Sequence, residues 1–176
     1  MLPGVDGIEA LRQIRARSDV YVILVTARTE EVDKLVGLGV GADDYVTKPF
    51  SPREVAARVK AVLRRGRGAP PPGPAVMRFD GLTVDPGARE VRAGETAVSL
   101  SALEFDLLAA LAEAPGRVFS RRQLLERVWG YDFFGDERVV DVHIRSLRAR
   151  LGDDAASPRL IATVRGVGYK FTGQPV

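Results

Sequence analysis

Arg138-Val-Val-Asp-Val-His-Ile-Arg-Ser-Leu-Arg-Ala-Arg150, followed by Thr163-Val-Arg-Gly-Val-Gly-Tyr-Lys170, is the stretch whose reading decides the fold. Val140, Ile144, Leu147 and Leu151 recur at spacings of four, three and four, so one stripe of a helix is apolar and must pack on a core. At about 100° per residue the opposite face carries Arg138, Val142, Arg145, Ser146 and Ala149. Guanidinium forks beside short side chains suit a helix lying in a major groove, because arginine pairs bidentately with guanine edges or phosphates and small neighbours let the backbone approach. Downstream, Leu160, Ala162 and Val164 alternate with Ile161, Thr163 and Arg165 before Gly166-Val-Gly168, and the chain returns through Tyr169 to Phe171. That is the pattern of a β-hairpin with an arginine at its tip. A helix followed by such a hairpin has the order of a winged helix-turn-helix.

An arginine-rich amphipathic helix is more often a solvated face than a nucleic-acid contact, so the distribution of charge has to carry the distinction. The net charge is only +3. Residues 79 to 113, however, hold seven acids against two bases, and residues 138 to 176 hold seven bases against three acids. One end of this part of the chain repels a phosphate backbone and the other attracts it. With 45% apolar and 28% charged residues in 176, the chain is expected to be globular, with one large core or two small ones. It has no run of eighteen apolar residues and no export signal in MLPGVDGIEA, so no membrane association is expected. The absence of cysteine removes disulfides and thiolate chemistry and fits the cytoplasm.

Arg64 to Ala75 contains four prolines, three glycines and no bulky apolar residue, and reads as a linker between residues 1–63 and 76–176. In the second part, Met77 to Val84 and Arg89 to Val98 read as short strands joined by the Asp85-Pro-Gly turn. Ser101-Ala-Leu-Glu104 is a capping box heading a helix to about Ala114, stopped by Pro115-Gly116. Ser120-Arg-Arg-Gln123 is a second, heading a helix to Val128, and Asp136 is placed to cap the arginine-rich helix. In the first part, Tyr21 to Val25 reads as a buried strand, with a helix near Glu30 to Leu38, a strand Asp44 to Thr47 and a helix headed by Ser51-Pro-Arg-Glu54. This alternation implies a parallel α/β sheet, and two strands alone cannot cover themselves, so the part reads as a remnant of a larger domain.

With these motifs in order, the chain resembles the OmpR/PhoB class of two-component response regulators. The matching stretches are Met1-Leu-Pro-Gly-Val-Asp-Gly7, Thr26-Ala27, Gly41-Ala-Asp-Asp-Tyr-Val-Thr-Lys-Pro-Phe50, Leu100 to Phe105, Arg121 to Trp129, Val140-Asp-Val-His-Ile-Arg145 and Thr163 to Tyr169. The resemblance implies a truncated, parallel, flavodoxin-like α/β receiver remnant, then an α+β winged helix-turn-helix domain. It implies that Thr26 would hydrogen-bond a phosphoryl group, that Lys48 would pair with it ahead of a cis Lys48–Pro49 bond, and that Tyr45 would be the switch aromatic. DNA contact would fall to Arg138, His143 and Arg148 near phosphates, to Val142, Arg145 and Ser146 facing bases, and to Thr163 and Arg165 on the wing, with Arg165 in a minor groove. Double-stranded DNA, as direct repeats, is the implied partner. Ser146 departs from the arginine of some relatives, so no operator sequence can be borrowed.

The same resemblance implies a homodimer through the receiver, with Lys34–Glu54 and Asp44–Arg58 as cross-subunit pairs; a third pair would need an acid where Gly39 stands, opposite Lys60. The loop from Trp129 to Asp136 would meet RNA polymerase, although Phe133, Phe134 and Gly135 fit an aromatic cluster packed on the domain equally well. The phosphoacceptor aspartate would lie two residues before Met1, and the magnesium-binding acidic pair farther upstream. As written, then, the chain offers no phosphoacceptor and no metal site. Mg²⁺ and a sensor histidine kinase are expected only for a full-length receiver. Rival readings are a dimer partner that titrates an intact regulator through residues 34 to 58, and an aspartate-dependent phosphatase, which the missing nucleophile disfavours.

Overall fold

The computed structural model describes residues 6–27, 39–67, 75–130 and 136–176. The first part runs α1 (Gly7–Arg15), β1 (Ile23–Thr26), β2 (Asp44–Thr47) and α2 (Pro52–Arg67). β1 and β2 are parallel, in register from Ile23 opposite Asp44 to Thr26 opposite Thr47. This is the two-stranded parallel sheet expected from the sequence. Pro52 occupies the first position of α2, where a missing N–H costs nothing, and the Ser51 hydroxyl accepts from Arg53 N–H at 3.2 Å. Helix α2 continues through Arg67, so the first residues of the segment expected as a linker are helical. The helix expected near Glu30 to Leu38 lies outside the described residues.

Helix α1 was not anticipated. Ile8, Leu11 and Ile14 recur every third residue, but only Leu11 is buried and Ile14 stays 40% exposed, so the apolar stripe is too thin to stand out.

The second part begins with a four-stranded antiparallel meander, β3 (Met77–Phe79), β4 (Leu82–Asp85), β5 (Glu90–Ala93) and β6 (Thr96–Ala97). Each of the two strands expected from the sequence is therefore a hairpin. The chain turns at Asp80-Gly81 and again at Gly94-Glu95, with φ of 73° at Gly81 and 58° at Gly94, a conformation glycine adopts without strain. Helices α3 (Ala102–Ala112), α4 (Arg121–Val128) and α5 (Arg138–Leu151) follow. Both expected capping boxes are formed, Ser101 with Glu104 and Ser120 with Gln123. A second sheet closes the domain in the order β7 (Val118–Ser120), β9 (Gly168–Phe171), β8 (Ile161–Val164). The hairpin β8–β9 is the expected wing, whereas β7 is too short to be legible alone and is recruited by β9.

One apolar cluster holds α3, α4 and α5 on the two sheets, with Leu107, Leu108, Leu111, Leu124, Val140, Leu147 and Phe171 fully buried. The C-terminal residues tie the sheets together, since Asp80 N–H donates to the Gln174 carbonyl at 2.9 Å and Val176 N–H to that of Arg78 at 3.2 Å. Leu11 and Ala42 join the same cluster, and Tyr21, Val22, Leu24, Val40 and Tyr45 pack against it. The second domain thus supplies the cover that two parallel strands cannot supply for themselves.

Gly168 is where the wing meets β7. A Cβ there would lie 2.0 Å from the Phe119 carbonyl oxygen, so no side chain fits without parting the strands. Gly168→Ala is expected to lower stability by about 1–3 kcal/mol, the usual range for overpacking. Urea denaturation checks this, and an unchanged midpoint would contradict the close approach.

Candidate nucleic-acid interface

Helix α5 is started by the Asp136 carboxylate, which accepts from Arg138 N–H at 2.9 Å, and is ended by Gly152 in the left-handed conformation, φ 63°. Val140, Ile144, Leu147 and Leu151 are buried as expected, and Val139, His143 and Arg148 are buried with them. The face left outside carries Arg138, Arg145, Ala149 and Arg150 exposed, with Val142 half-buried. On the wing, Thr163 and Arg165 are exposed, and Val167 N–H closes the turn on the Val164 carbonyl at 3.0 Å. Gly166 takes φ 73° there. Arg145 and Arg165 make no hydrogen bond or ion pair among the described residues, so their guanidinium groups are available to a partner.

Three residues expected at a DNA surface are engaged inside the protein. Arg148 Nε and Nη2 both donate to the Ile161 carbonyl, at 3.2 and 2.6 Å, and Nη2 also to Thr163 Oγ1 at 2.8 Å. The Ser146 hydroxyl donates to the Glu104 carboxylate, whose other oxygen accepts from Ser101 N–H at 2.8 Å. The His143 ring lies 5.5 Å from that of Trp129 and is 2% exposed. An angular wheel places these side chains near the outer face, but long or polar side chains reach back to partners on neighbouring elements, and those partners are invisible to periodicity.

Sequence reading also missed a polar junction. Asp141, the only acid in α5, accepts the Tyr169 hydroxyl at 2.6 Å and Arg121 Nε at 2.7 Å on the same oxygen. Burial, then the Asp141 hydrogen bond, push the Tyr169 phenol up to about 12, so it remains protonated and donates. A lone acid among arginines was the available signal.

In the first part, Thr26 ends β1 half-buried, and its carbonyl accepts Lys48 N–H at 2.7 Å. Lys48 is exposed, and the Lys48–Pro49 bond is cis, as the resemblance implied. Tyr45 is half-buried against the shared cluster, and burial, then the Asp136 carboxylate, raise its pKa. Arg58 holds Asp44 at 2.7 Å and Glu54 at 2.8 Å within one chain, where the resemblance implied pairs between subunits. Lys34 lies outside the described residues, as do Phe133, Phe134 and Gly135. Trp129, expected at a polymerase-facing loop, is buried, and its Nε1 donates to the Asp43 carbonyl at 3.2 Å. Asp43 itself pairs with Arg15 at 2.5 Å and accepts Val22 N–H at 2.6 Å, while burial raises its carboxyl to about 6. Among the described residues no three acidic or histidine side chains converge, so the residues present do not fit magnesium.

The first sixty residues match the response regulator receiver domain, and residues 94–171 match the C-terminal domain of transcriptional regulatory proteins. The sensory transduction protein RegX3 of Mycolicibacterium smegmatis is 47% identical over 98% of this chain and 77% of its own length. The chain is an OmpR/PhoB-type response regulator. As such it is a DNA-binding transcription factor of a two-component system. The response regulator DrrB, an OmpR/PhoB homologue from Thermotoga maritima, is similar over 98% of this chain and 76% of its own, at 39% identity and a TM-score of 0.52. The Klebsiella pneumoniae RstA DNA-binding domain, solved in complex with the RstA box, is 40% identical and covers 56% of this regulator and 98% of its own chain, with a TM-score of 0.53. No helix among the described residues is long and apolar enough to cross a membrane.

His143 gives the regulator an acid-sensitive core. Burial lowers its pKa from 6.5 to about 3, against a hydrogen bond with the Asp43 backbone. Between those values the unfolded chain holds a proton that the folded chain does not, so His143 removes stability as pH falls from 6.5 towards 3. Asp43 acts oppositely: its folded carboxyl holds a proton between about 6 and 3.8 that the unfolded chain has lost, and its contribution fades as pH rises through 6. His143→Leu leaves Asp43 in place. Between pH 6 and pH 4 the wild type is expected to lose about 1.4 kcal/mol per pH unit relative to this variant. Urea denaturation across that range checks it, and parallel pH profiles would contradict a buried neutral imidazole.

Proposed function

We propose that this regulator reads double-stranded DNA in two grooves at once, Arg145 pairing with a guanine edge in the major groove and Arg165 entering the adjacent minor groove. The observation that carries this reading is the pairing of an anchored helix with an anchored hairpin, each presenting an exposed guanidinium, Arg145 or Arg165, with no partner among the described residues. Arg138 lies at the helix start, where a phosphate is the natural partner, and Val142 offers a methyl-sized apolar surface to a thymine. The likeness to a DNA-binding domain solved in complex with its DNA box supports DNA as the ligand.

His143, Ser146 and Arg148 have structural partners already, and Thr163 serves Arg148. In this reading they shape the surface and leave base recognition to Arg145. The regulator acts in the cytoplasm as a pair on direct repeats. Pairing through residues 34 to 58 requires Arg58, buried against Asp44, to exchange its intrachain carboxylates for those of a second subunit. Contact with RNA polymerase falls to residues 131–136, since Trp129 is committed to Asp43. A polypeptide of these 176 residues binds DNA without phosphoryl transfer, because no acceptor aspartate stands at a matching position in it. A sensor kinase would act only on a chain that includes the acceptor.

Arg145→Ala is expected to weaken binding to a selected operator by about 1–3 kcal/mol and to relax sequence preference, and acetyl phosphate to leave affinity unchanged. Fluorescence anisotropy on operator and scrambled duplexes measures both. Equal small losses on the two duplexes would remove Arg145 from base reading, and a gain with acetyl phosphate would show an acceptor within these residues.

A further inference from the structure

Two elements that read one DNA site need a fixed separation, and a cluster around Tyr169 lies where it can set that separation. Tyr169 lies in β9, between Phe119 of β7 and Thr163 of β8 in the ladder, three residues past Gly166 in the wing turn. The residue is 5% exposed, and two guanidinium groups lie near its ring, Arg121 at 5.4 Å and Arg148 at 5.7 Å from the centroid. Arg121 opens α4, Arg148 sits on α5, and Asp141, one turn into α5, takes the Tyr169 hydroxyl and Arg121 Nε on one carboxylate oxygen. Arg148 also holds the β8 strand through the Ile161 carbonyl and Thr163 Oγ1. Both helices of the helix-turn-helix and both strands of the wing thereby meet at one junction, with Tyr169 bonded to Asp141 at its centre.

We infer that Tyr169 is a specificity-determining positioning residue: clamped by Asp141, Arg121 and Arg148, it sets the distance and angle between Arg145 on α5 and Arg165 on the wing without touching DNA. The inference rests on the two-groove reading above. Its physical basis is that charge-assisted hydrogen bonds are short and directional, and that a displacement of about 1 Å in a supporting shell is enough to spoil a recognition geometry. Ile161 and Phe171 seat the far ends of β8 and β9 in the core, whereas the turn from Arg165 to Val167 is exposed, so freeing the hydroxyl lets the tip shift while the apolar core stays packed. A loosened wing still meets phosphate electrostatically, so scrambled DNA is bound nearly as before. Only the simultaneous fit on a selected site is lost.

Tyr169→Phe removes the hydroxyl and keeps the ring; Asp141→Asn keeps the shape and removes the charge. Both are combined with Arg165→Ala in a double-mutant cycle, read by anisotropy on a selected operator and on scrambled duplex, with urea denaturation as the check on folding. Tyr169→Phe is expected to lower the operator-to-scrambled affinity ratio by roughly threefold to thirtyfold, and in the Arg165→Ala background to lower it hardly at all, because the wing it positions no longer reads. Additive losses in the cycle, equal losses on both duplexes, or an unchanged ratio would each overturn the inference. If Tyr169→Phe fails to fold, the same cycle run with Asp141→Asn decides it. A wild-type regulator with no preference for the selected operator would instead sink the two-groove reading, and the comparison of wild type with Arg165→Ala shows which of the two has failed.

Discussion

Helix α5 can offer arginines to a partner because its other side is sunk into the domain. Val140, Ile144, Leu147 and Leu151 are buried on the same helix that leaves Arg138 and Arg145 outside. Each such aliphatic side chain contributes about 1.5–3 kcal/mol by leaving water, enough to hold a helix whose outward charges would not keep it in place. The rotation of α5 about its axis is fixed by that burial, and which arginines face outward follows from the rotation. The wing strands add Ile161, Tyr169 and Phe171 to the same core, and the hairpin is held further by the close approach of Gly168 to β7 and by polar contacts to Arg148 and Asp141.

The regular elements were legible where one rule dominates. The two capping boxes, the apolar stripe of α5 and the glycine turn of the wing are local signals, and each stands where it was read. The Asp80-Gly81 and Gly94-Glu95 turns were present in the sequence as well, but a longer strand absorbed them in the reading. Helix α1 buries one residue and β7 has three, too little for periodicity to register.

The candidate site was legible in part, for a different reason. Periodicity assigns a face, whereas a polar side chain is placed by the partner it finds. Arg148 and Ser146 lie on the correct helix but bond to a carbonyl from β8 and a carboxylate from α3, partners 13 and 42 residues away along the chain. His143 and Trp129 are committed to Asp43, which precedes Trp129 by 86 residues. Those contacts join the two domains, and the sequence carried no sign of them. Arg145 and Arg165 are exposed, as a face assignment alone would have them, and have no partner among the described residues to draw them inward.

Dimethyl sulfate protection on a selected operator is the most direct probe of two-groove reading, because it reports guanine N7 in the major groove and adenine N3 in the minor groove in one experiment. With this regulator bound, each half-site is expected to show a protected guanine N7 beside a protected adenine N3, the latter lost with Arg165→Ala while the former persists. Protection at guanine N7 alone in the wild type, or no protection at either atom, would contradict a helix and a wing reading the same site.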